Sequence, residues 1–260
     1  MMFKTVLKGL DDCRARIEND FQVDLSTNGT DGYLLLRGEN RCYDQTETSL
    51  KRSLTSHDGF MRPFNETAPF IDFEDIYTDF LVEDRGLDDG HAKGFLQHYG
   101  VPTNLFDLTP SFEVARFFAT YGGEESPIGV IGAFVRHELA EHLLITDLSG
   151  HPFAARPRRQ LAFTAAPPPG ITDLKSPSLD PLFTVRWYVF TKTVDDLATA
   201  RRNATYLYPD EAEIEYFFGR DLDHFIQGHW AFGDADTNAI AAIQRQVELT
   251  RRALRAPDRR

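Results

Sequence analysis

The sequence is poor in the features that hold together a secreted or metal-bound protein. It has two cysteines, Cys13 and Cys42, in 260 residues, too few for a disulfide framework or a cysteine-based metal site. The opening residues MMFKTVLKGL lack the long apolar core of a signal peptide. No stretch approaches the roughly 18 continuous apolar residues that a membrane span needs. We therefore expect a cytoplasmic protein with no metal and no membrane partner.

Positive charge is also scarce. The chain has 28 Lys and Arg residues against 40 Asp and Glu, a net charge of −12 with a pI near 5.1. Because such a chain repels phosphate backbones, broad nucleic-acid binding is disfavoured. The exception is an arginine-rich end formed by Arg251, Arg252, Arg255, Arg259 and Arg260. We interpret this end as surface charge and keep an acidic partner as the alternative.

Length and periodicity predict an α+β fold. A hydrophobic content of 42% fills a sizeable core. Apolar residues recur at helical spacing in residues 3–21, 65–87, 194–202, 209–225 and 236–254, whereas residues 33–36, 128–135 and 182–190 are typical of strands. We expect a small, mainly antiparallel or split sheet flanked by helices. The proline-rich run AAPPPGITDLKSPSLDP divides residues 1–170 from a mostly helical extension, residues 171–260, that packs on them.

The densest polar chemistry lies in residues 94–121, GFLQHYGVPTNLFDLTPSFEVARFFATY. Gly100 and Pro102 predict that a helix ends near Tyr99 and that a short extended run follows. Thr109 is expected to be the N-cap of the next helix, with Pro110 at its first position. This order puts the following polar residues at the ends of elements, where side chains reach clefts: Gln97, His98, Asn104, Asp107, Thr109 and Ser111. Each also has a structural interpretation, as a cap, a turn residue or a core histidine, and both interpretations stay open.

Arg37 follows the apolar run Tyr33 to Leu36 and is predicted to end that strand. An unpaired charge in a low-dielectric core costs several kcal/mol, so this guanidinium must be paired or must face a cleft. We favour an anion-facing role, because Gly38 beside it would let a ligand approach the backbone. The alternative is a structural pair with a nearby carboxylate.

The run QHYGVPTNLFDLT, followed by a helix ending in ARFFA, resembles the FRG domain, a bacterial family named for a Phe/Tyr-Arg-Gly tripeptide. The tripeptide has its counterpart in Leu36-Arg37-Gly38, where leucine replaces the aromatic residue. The resemblance covers residues 33–164.

The order of these elements also resembles that of ADP-ribosyltransferases, which implies roles for particular residues. Arg37, with Gly38, would hold the dinucleotide NAD as co-substrate, and Thr109 or Ser111 would support the nicotinamide-ribose pocket. Gln160, in RPRRQLAFT, would stand where those enzymes carry a glutamate on a strand. Gln160 supplies no negative charge to a developing cation. The resemblance therefore leaves Asp107 as an alternative carboxylate.

Two further features bear on this resemblance. His98 would act as acid or base or bind the ribose. Glu211, Glu213 and Glu215 imitate the Glu-x-Glu pattern of the transferases, but their apolar neighbours fall at helical spacing and not on a strand edge. We therefore predict that these three glutamates have no catalytic role.

Two functions follow from the resemblance. The first is an NAD-binding, ADP-ribosyltransferase-like enzyme that transfers or hydrolyses ADP-ribose, as toxins or phage-defence effectors do. The alternative is a non-catalytic FRG module that binds a nucleotide, RNA or a protein. Phosphate loops of the GxxxxGK type, Gly-x-Ser-x-Gly elbows and His-Glu-x-x-His helices are absent from the sequence, which leaves other enzyme classes without support.

Overall fold

The structure is a computed structural model of the chain. It describes residues 5–26, 32–48, 73–101, 103–168, 171, 173–179, 181–230 and 237–255. The first residues of the helix predicted for 65–87 lie outside this part, as do Pro102, Arg259 and Arg260. The described residues form an α+β fold, as predicted, in which helices flank two small sheets.

The described strands form a four-stranded sheet with the order β1-β7-β4-β2 and a three-stranded sheet with the order β3-β6-β5. All pairs are antiparallel except β1 with β7. The strands are β1 Val6–Leu7, β2 Leu34–Glu39, β3 Phe106–Leu108, β4 Ile128–Val135, β5 Leu144–Asp147, β6 Phe163–Ala166 and β7 Val185–Thr191.

Some helices of the described residues pack on the sheets, and the C-terminal ones pack on one another and on the helices before β3. The helices are α1 Leu10–Phe21, α2 Phe73–Glu83, α3 Asp89–His98, α4 Phe112–Thr120, α5 Arg136–Ala140, α6 Ala155–Arg159, α7 Val194–Arg202, α8 Glu211–Phe218, α9 Arg220–Trp230 and α10 Thr237–Arg255, with a 3₁₀ turn at Ala204–Leu207. None of these helices combines the length and the apolar character that crossing a membrane requires.

The two sheets meet where β2 passes the end of β3. Leu36 N donates to Thr109 O at 2.7 Å, and Thr109 N donates to Leu36 O at 2.9 Å. This isolated bridge sets the following residue of β2, Arg37, beside the residues of β3. The junction between the sheets therefore positions the candidate site.

The sheet and one core combine chain from both sides of the predicted boundary at residue 170. β7 pairs with both β1 and β4. Phe95 and Tyr99, at the end of α3, pack in one apolar cluster with Phe217 of α8 and Val247 of α10. The part of residues 171–260 that the structure describes thus contributes a strand to the sheet as well as helices.

Several element boundaries differ from those predicted, and three of them bear on the packing. The first helix begins at Leu10 and not at residue 3, because β1 pairs with Val189–Phe190 of β7. The helix expected from Pro209 is two helices that divide at Gly219, where a Cβ atom would overlap the Glu215 carbonyl oxygen. The strand expected to end at Arg37 continues to Glu39.

Candidate functional site

Two adjoining cavities lie at the junction between the sheets. The inner cavity has a volume of about 130 Å³, and its polar lining comes from Arg37, Gln97, His98, Asp107, Thr109, Arg156 and Gln160. The outer cavity has a volume of about 300 Å³ and is lined by Arg37, Gly38, Glu39, Asn40, Tyr43, Gln45, Thr46, Glu47, Phe118 and Tyr121. Arg37, Gly38 and Phe118 line both cavities, so the two are halves of one cleft.

Arg37 stands at the division between the two halves. Its Nη1 donates to the main-chain oxygen of Asp107 at 2.9 Å, and its Nε lies 3.7 Å from Glu39 Oε1. The second distance is an ion pair but too long for a hydrogen bond. Both interpretations of Arg37 offered by the sequence therefore have a basis, since it has a carboxylate neighbour and also lines the cleft.

Gly38 has a different reason for being glycine from the one that the sequence suggested. A Cβ atom at this position would overlap the main-chain carbonyl of Ala115 and crowd Ala119 N on α4. Glycine thus lets α4 cross β2 at close range. Gly38 also lines both cavities.

The end of α3 supplies an amide and an imidazole to the inner cavity. Gln97 Nε2 donates to Asp107 Oδ1 at 2.7 Å, while Thr103 Oγ1 donates to Gln97 Oε1. His98 Nε2 lies 3.5 Å from the same Asp107 oxygen. The Asp107 side chain is 47% exposed, so this carboxylate is held in place from one side and open to the cleft on the other.

His98 itself is buried. Burial is the largest influence on its pKa and lowers it below the usual value. Asp107 and a side-chain hydrogen bond with Gln160 oppose this shift, whereas the charge of Arg156 adds to it. Burial therefore favours the neutral form of the imidazole.

The helix after β3 begins at Phe112, two residues later than predicted, so Pro110 is not its first residue. Ser111, not Thr109, is the N-cap of α4, and its hydroxyl accepts from Val114 N at 3.3 Å. The backbone of Thr109 is bound to Leu36 across the sheet junction, so it cannot open a helix. Its hydroxyl donates to Gln160 O at 2.8 Å and accepts from Ser111 N at 3.1 Å. Thr109 lines the inner cavity, whereas Ser111 does not.

Gln160 reaches the inner cavity from the end of a helix and not from a strand. It is the C-cap of α6 and is buried, and Leu161 after it adopts a left-handed backbone with φ 45°. β6 begins only at Phe163. The position of a strand-borne glutamate is thus not reproduced, although the amide faces the same cavity as Arg37 and Asp107.

Arg156, on the same helix, is a lining residue that the sequence did not single out. It lies in the inner cavity, where burial lowers its pKa against the opposing influence of Tyr99, Asp107 and Glu213. The signal was the run RPRRQ, but three arginines in five residues give no indication of which one faces inward.

Three buried nitrogens around the inner cavity have no hydrogen-bond partner among the described residues. They are Arg37 Nε, His98 Nε2 and Arg156 Nε. Burying an unsatisfied polar group costs about 1–3 kcal/mol, so each of these nitrogens calls for an explanation such as a bound water, an ion or a ligand. Two guanidiniums facing one cavity favour an anion, and phosphate oxygens match the fork of donors that arginine presents.

Comparison with known proteins identifies the segment that carries most of this geometry. Residues 33–126 match the family model of the FRG domain. The chain carries an FRG domain. No curated protein and no solved structure matches the chain.

The FRG domain supplies only part of the cleft. Arg37, Gly38, Gln97, His98 and Asp107 lie within the matched residues. The opposite side of the inner cavity comes from later in the chain, through Arg156, Gln160 and Ala162 of the α6 region. In this protein the cleft is therefore built jointly by the FRG domain and the segment that follows it.

Glu213, a buried carboxylate of the C-terminal segment, holds the α6 side of the inner cavity in place. Glu213 Oε1 accepts from Tyr99 Oη at 2.7 Å and from Arg156 N at 2.7 Å, and Oε2 accepts from Asp210 N at 3.0 Å. Glu213, on α8, thus connects that helix to α6 and to Tyr99 at the end of α3. Its place on a helix agrees with the prediction for the Glu-x-Glu pattern.

The outer cavity has a buried ion pair at its wall. Glu39 accepts from Lys175 Nζ at 2.6 Å and from Thr46 Oγ1 at 2.6 Å. Lys175 also lies over the Trp187 ring at 4.6 Å. Neither Glu39 nor Lys175 was singled out from the sequence. A charged residue directly after Arg37-Gly38 indicated that the strand had ended. In the described residues, no cluster of histidine, cysteine or carboxylate side chains could hold a metal ion.

Proposed function

We propose that the cleft of this FRG-domain protein binds NAD and that the protein is an ADP-ribosyltransferase-like enzyme that transfers or hydrolyses ADP-ribose. The observation that carries the proposal is the lining of the inner cavity, where Arg37 and Arg156 meet the half-exposed carboxylate of Asp107. Arg37 and Arg156 supply donors for the diphosphate, and Asp107 supplies negative charge where a cation develops. The pair of sheets bridged at Leu36 and Thr109 is, in this proposal, an ADP-ribosyltransferase-like frame.

The reaction breaks the bond between ribose C1′ and the nicotinamide nitrogen. The bonding electron pair leaves with nicotinamide, which neutralises its ring, and positive charge develops on C1′ and the ring oxygen of the ribose. Asp107 stabilises that charge, because its carboxylate is fixed by Gln97 at 2.7 Å and open to the cavity. A preorganised charge of this kind lowers a barrier more than a mobile one does.

The second half of the reaction forms a bond from C1′ to the acceptor. An oxygen or nitrogen nucleophile donates the electron pair for this bond and loses a proton. His98 is neutral and lies 3.5 Å from Asp107, so it is the group in the cavity that accepts the proton. With water as acceptor the product is free ADP-ribose, and the protein consumes NAD as an effector would.

A second candidate function is a nucleotide-binding module without turnover. The observation in its favour is Gln160, a buried amide whose main-chain oxygen is already bound by Thr109, in the part of the cavity where the transferases would need a carboxylate. Such a module would use Arg37 and Arg156 for binding and would leave the glycosidic bond intact.

The two candidates separate in one experiment with the full chain. The protein is melted with and without NAD, and nicotinamide release is followed by chromatography, for the wild type and for Asp107→Asn. At a hundred times its dissociation constant, NAD stabilises a protein by about 2.7 kcal/mol. The enzyme proposal predicts stabilisation of both proteins and a release rate that falls roughly a hundredfold in Asp107→Asn. Stabilisation without release in the wild type supports the module, and the absence of both effects contradicts both functions.

A further inference from the structure

The outer and inner cavities differ in volume, and neither alone is large enough for a dinucleotide. Ligand pockets have volumes of about 300–1,000 Å³. The inner cavity, at about 130 Å³, is below that range, and the outer cavity, at about 300 Å³, is at its lower end. A dinucleotide therefore needs both halves, with its centre at the shared residues Arg37 and Gly38.

Aromatic side chains line the outer cavity without being buried in a core. Tyr43, Phe118 and Tyr121 each remain half-buried there. The ring of Tyr121 is stacked on Phe117, with centroids 5.1 Å apart and planes at 30°. Partly exposed rings that are held by such stacking present flat faces on which a nucleobase can stack.

One asparagine fixes two of these aromatic residues to each other. Tyr43 Oη donates to Asn40 Oδ1 at 2.9 Å, and Asn40 Nδ2 donates to Tyr121 O at 3.0 Å. The Tyr43 side chain is thus connected to the main chain at Tyr121, which reduces the entropy lost when a ligand orders that ring.

The charges of the outer cavity argue against a phosphate inside it. Glu47 lines it, and its carboxylate repels phosphate while suiting hydroxyl donors, whereas the Glu39 carboxylate is already bound by Lys175 and Thr46. The cation at the division between the two halves is Arg37. A ligand that matches this pattern has a planar base and a ribose on one side of its phosphates.

We infer that the outer cavity is an adenosine subsite, which takes the adenine ring and its ribose, while the diphosphate lies at Arg37 and the nicotinamide riboside enters the inner cavity. This inference rests on the proposed function, because it divides the same ligand between the two halves. Adenine stacks against the aromatic wall formed by Tyr43, Phe118 and Tyr121. The nicotinamide half lies beside His98, Asp107 and Gln160.

Fragments of NAD test the division directly. AMP carries the adenosine half and nicotinamide mononucleotide carries the other, and the affinity of the full chain for each is measured by calorimetry together with that for NAD. Stacking of one base on an aromatic ring is worth about 5-fold to 150-fold in affinity. We expect Tyr121→Leu to weaken AMP and NAD by such a factor and to leave nicotinamide mononucleotide unchanged.

Further variants keep the test independent of folding. Tyr43→Phe keeps the ring and loses only the hydrogen bond to Asn40, so it should weaken AMP less than Tyr43→Leu, which loses the ring as well. Phe153→Ala removes an aromatic side chain that is 58% exposed and lines neither cavity, and it should change no affinity. Variants are compared only where their melting temperatures match that of the wild type.

The possible outcomes distinguish failure of the adenosine subsite from failure of the proposed function. If NAD binds but neither Tyr121→Leu nor Tyr43→Leu weakens AMP, or if both variants weaken nicotinamide mononucleotide as much as AMP, the adenosine subsite is overturned and the proposed function stands. If neither NAD nor any fragment binds, both are overturned.

Discussion

At the scale of single residues, Gly38 shows how a motif glycine can serve packing. A methyl group there would overlap the Ala115 carbonyl on α4, and backbone atoms cannot move away as a flexible side chain can. We predict that Gly38→Ala lowers the free energy of unfolding by about 3 kcal/mol, as overpacking of a tight contact does. Gly150→Ala is the control, because no atom lies within 4 Å of its Cβ position. Urea unfolding measures both, and equal stabilities would contradict this account of Gly38.

His98 gives the protein a dependence on pH whose sign follows from its burial. The folded pKa lies below the unfolded value of about 6.5, so the unfolded chain binds the extra proton first. The stabilising contribution is complete above pH 6.5 and is lost as the pH falls through the folded pKa, by up to about 1.4 kcal/mol per pH unit. His98→Gln should lose less stability than the wild type between pH 7 and pH 5.5. Burial also lowers the pKa of His151, so part of the dependence remains.

An equal loss of stability in the wild type and His98→Gln would show that His98 titrates normally. His151→Gln is the comparison in this series, because the ring of His151 packs against Phe95 with centroids 4.9 Å apart and lies outside the lining of both cavities. Its effect on the acid dependence should add to that of His98→Gln.

The sequence predicted some of the site residues and missed others for a physical reason. Arg37, His98 and Asp107 are brought to one cavity, and they lie in or beside the motifs from which the cleft was predicted. Arg156 and Glu39 were missed, because a cation or a carboxylate in a charged run reaches its partner only through contacts distant in the chain. The partner of Glu39, Lys175, is 136 residues away.

At the scale of elements, Glu213 connects three of them. Its carboxylate accepts from Tyr99 after α3, from Arg156 N in α6 and from Asp210 N before α8. We predict that Glu213→Ala lowers the free energy of unfolding by about 3 kcal/mol, because several buried donors lose their acceptor. It should also weaken NAD binding, since α6 carries Arg156 and Gln160.

Glu211→Ala is the matched control on the same helix. Glu211 is 72% exposed and pairs with Arg255 at 3.1 Å, and such pairs contribute about 0–1 kcal/mol. Urea unfolding and NAD calorimetry of both variants decide the matter. Equal effects of the two substitutions on stability and on NAD affinity would show that Glu213 does not hold α6 in place.

Elements long enough to show a repeating hydrophobic pattern were predictable from the sequence, and shorter elements were not. The strand predicted for residues 128–135 is β4, and the helix predicted for residues 194–202 is α7, in both cases with the observed bounds. α6 has five residues and shows no period, so Gln160 was expected on a strand. β1 has two residues and is defined only by its partner β7, which no local pattern reveals.

At the scale of the molecule, the C-terminal helices belong to the same structure as the FRG domain. Phe217 of α8 packs on Phe95 and Tyr99 of the motif region, with ring centroids 5.3 and 4.6 Å apart. We predict that Phe217→Ala lowers the free energy of unfolding by about 3–5 kcal/mol and destabilises the sheet equally. The probe is Trp187 of β7, made the sole tryptophan by Trp230→Phe. Its fluorescence transition should coincide with that of circular dichroism, and separate transitions would indicate an independent C-terminal unit.

The three arginines of the arginine-rich end that the structure describes all have partners within the chain. Arg251 binds the carbonyl oxygens of Phe218 and Gly219 and the carboxylate of Asp223, Arg252 pairs with Glu248, and Arg255 pairs with Glu211. These contacts tie α10 to α8 and α9. An acidic partner for this end stays a prediction, and it would have to compete with those carboxylates.

The central claim is that guanidiniums from two distant parts of the chain bind the diphosphate of one NAD molecule. Calorimetric titration of NAD into the wild type, Arg37→Gln, Arg156→Gln and Arg158→Gln tests it most directly. Arg158 is exposed on the same helix as Arg156 and lines neither cavity, so it is the control. A hydrogen bond to a charged group contributes about 1.5–3 kcal/mol, so Arg37→Gln and Arg156→Gln should each weaken NAD at least tenfold, with Arg158→Gln unchanged. No heat of binding in the wild type, or the same loss in all three variants, would contradict the claim.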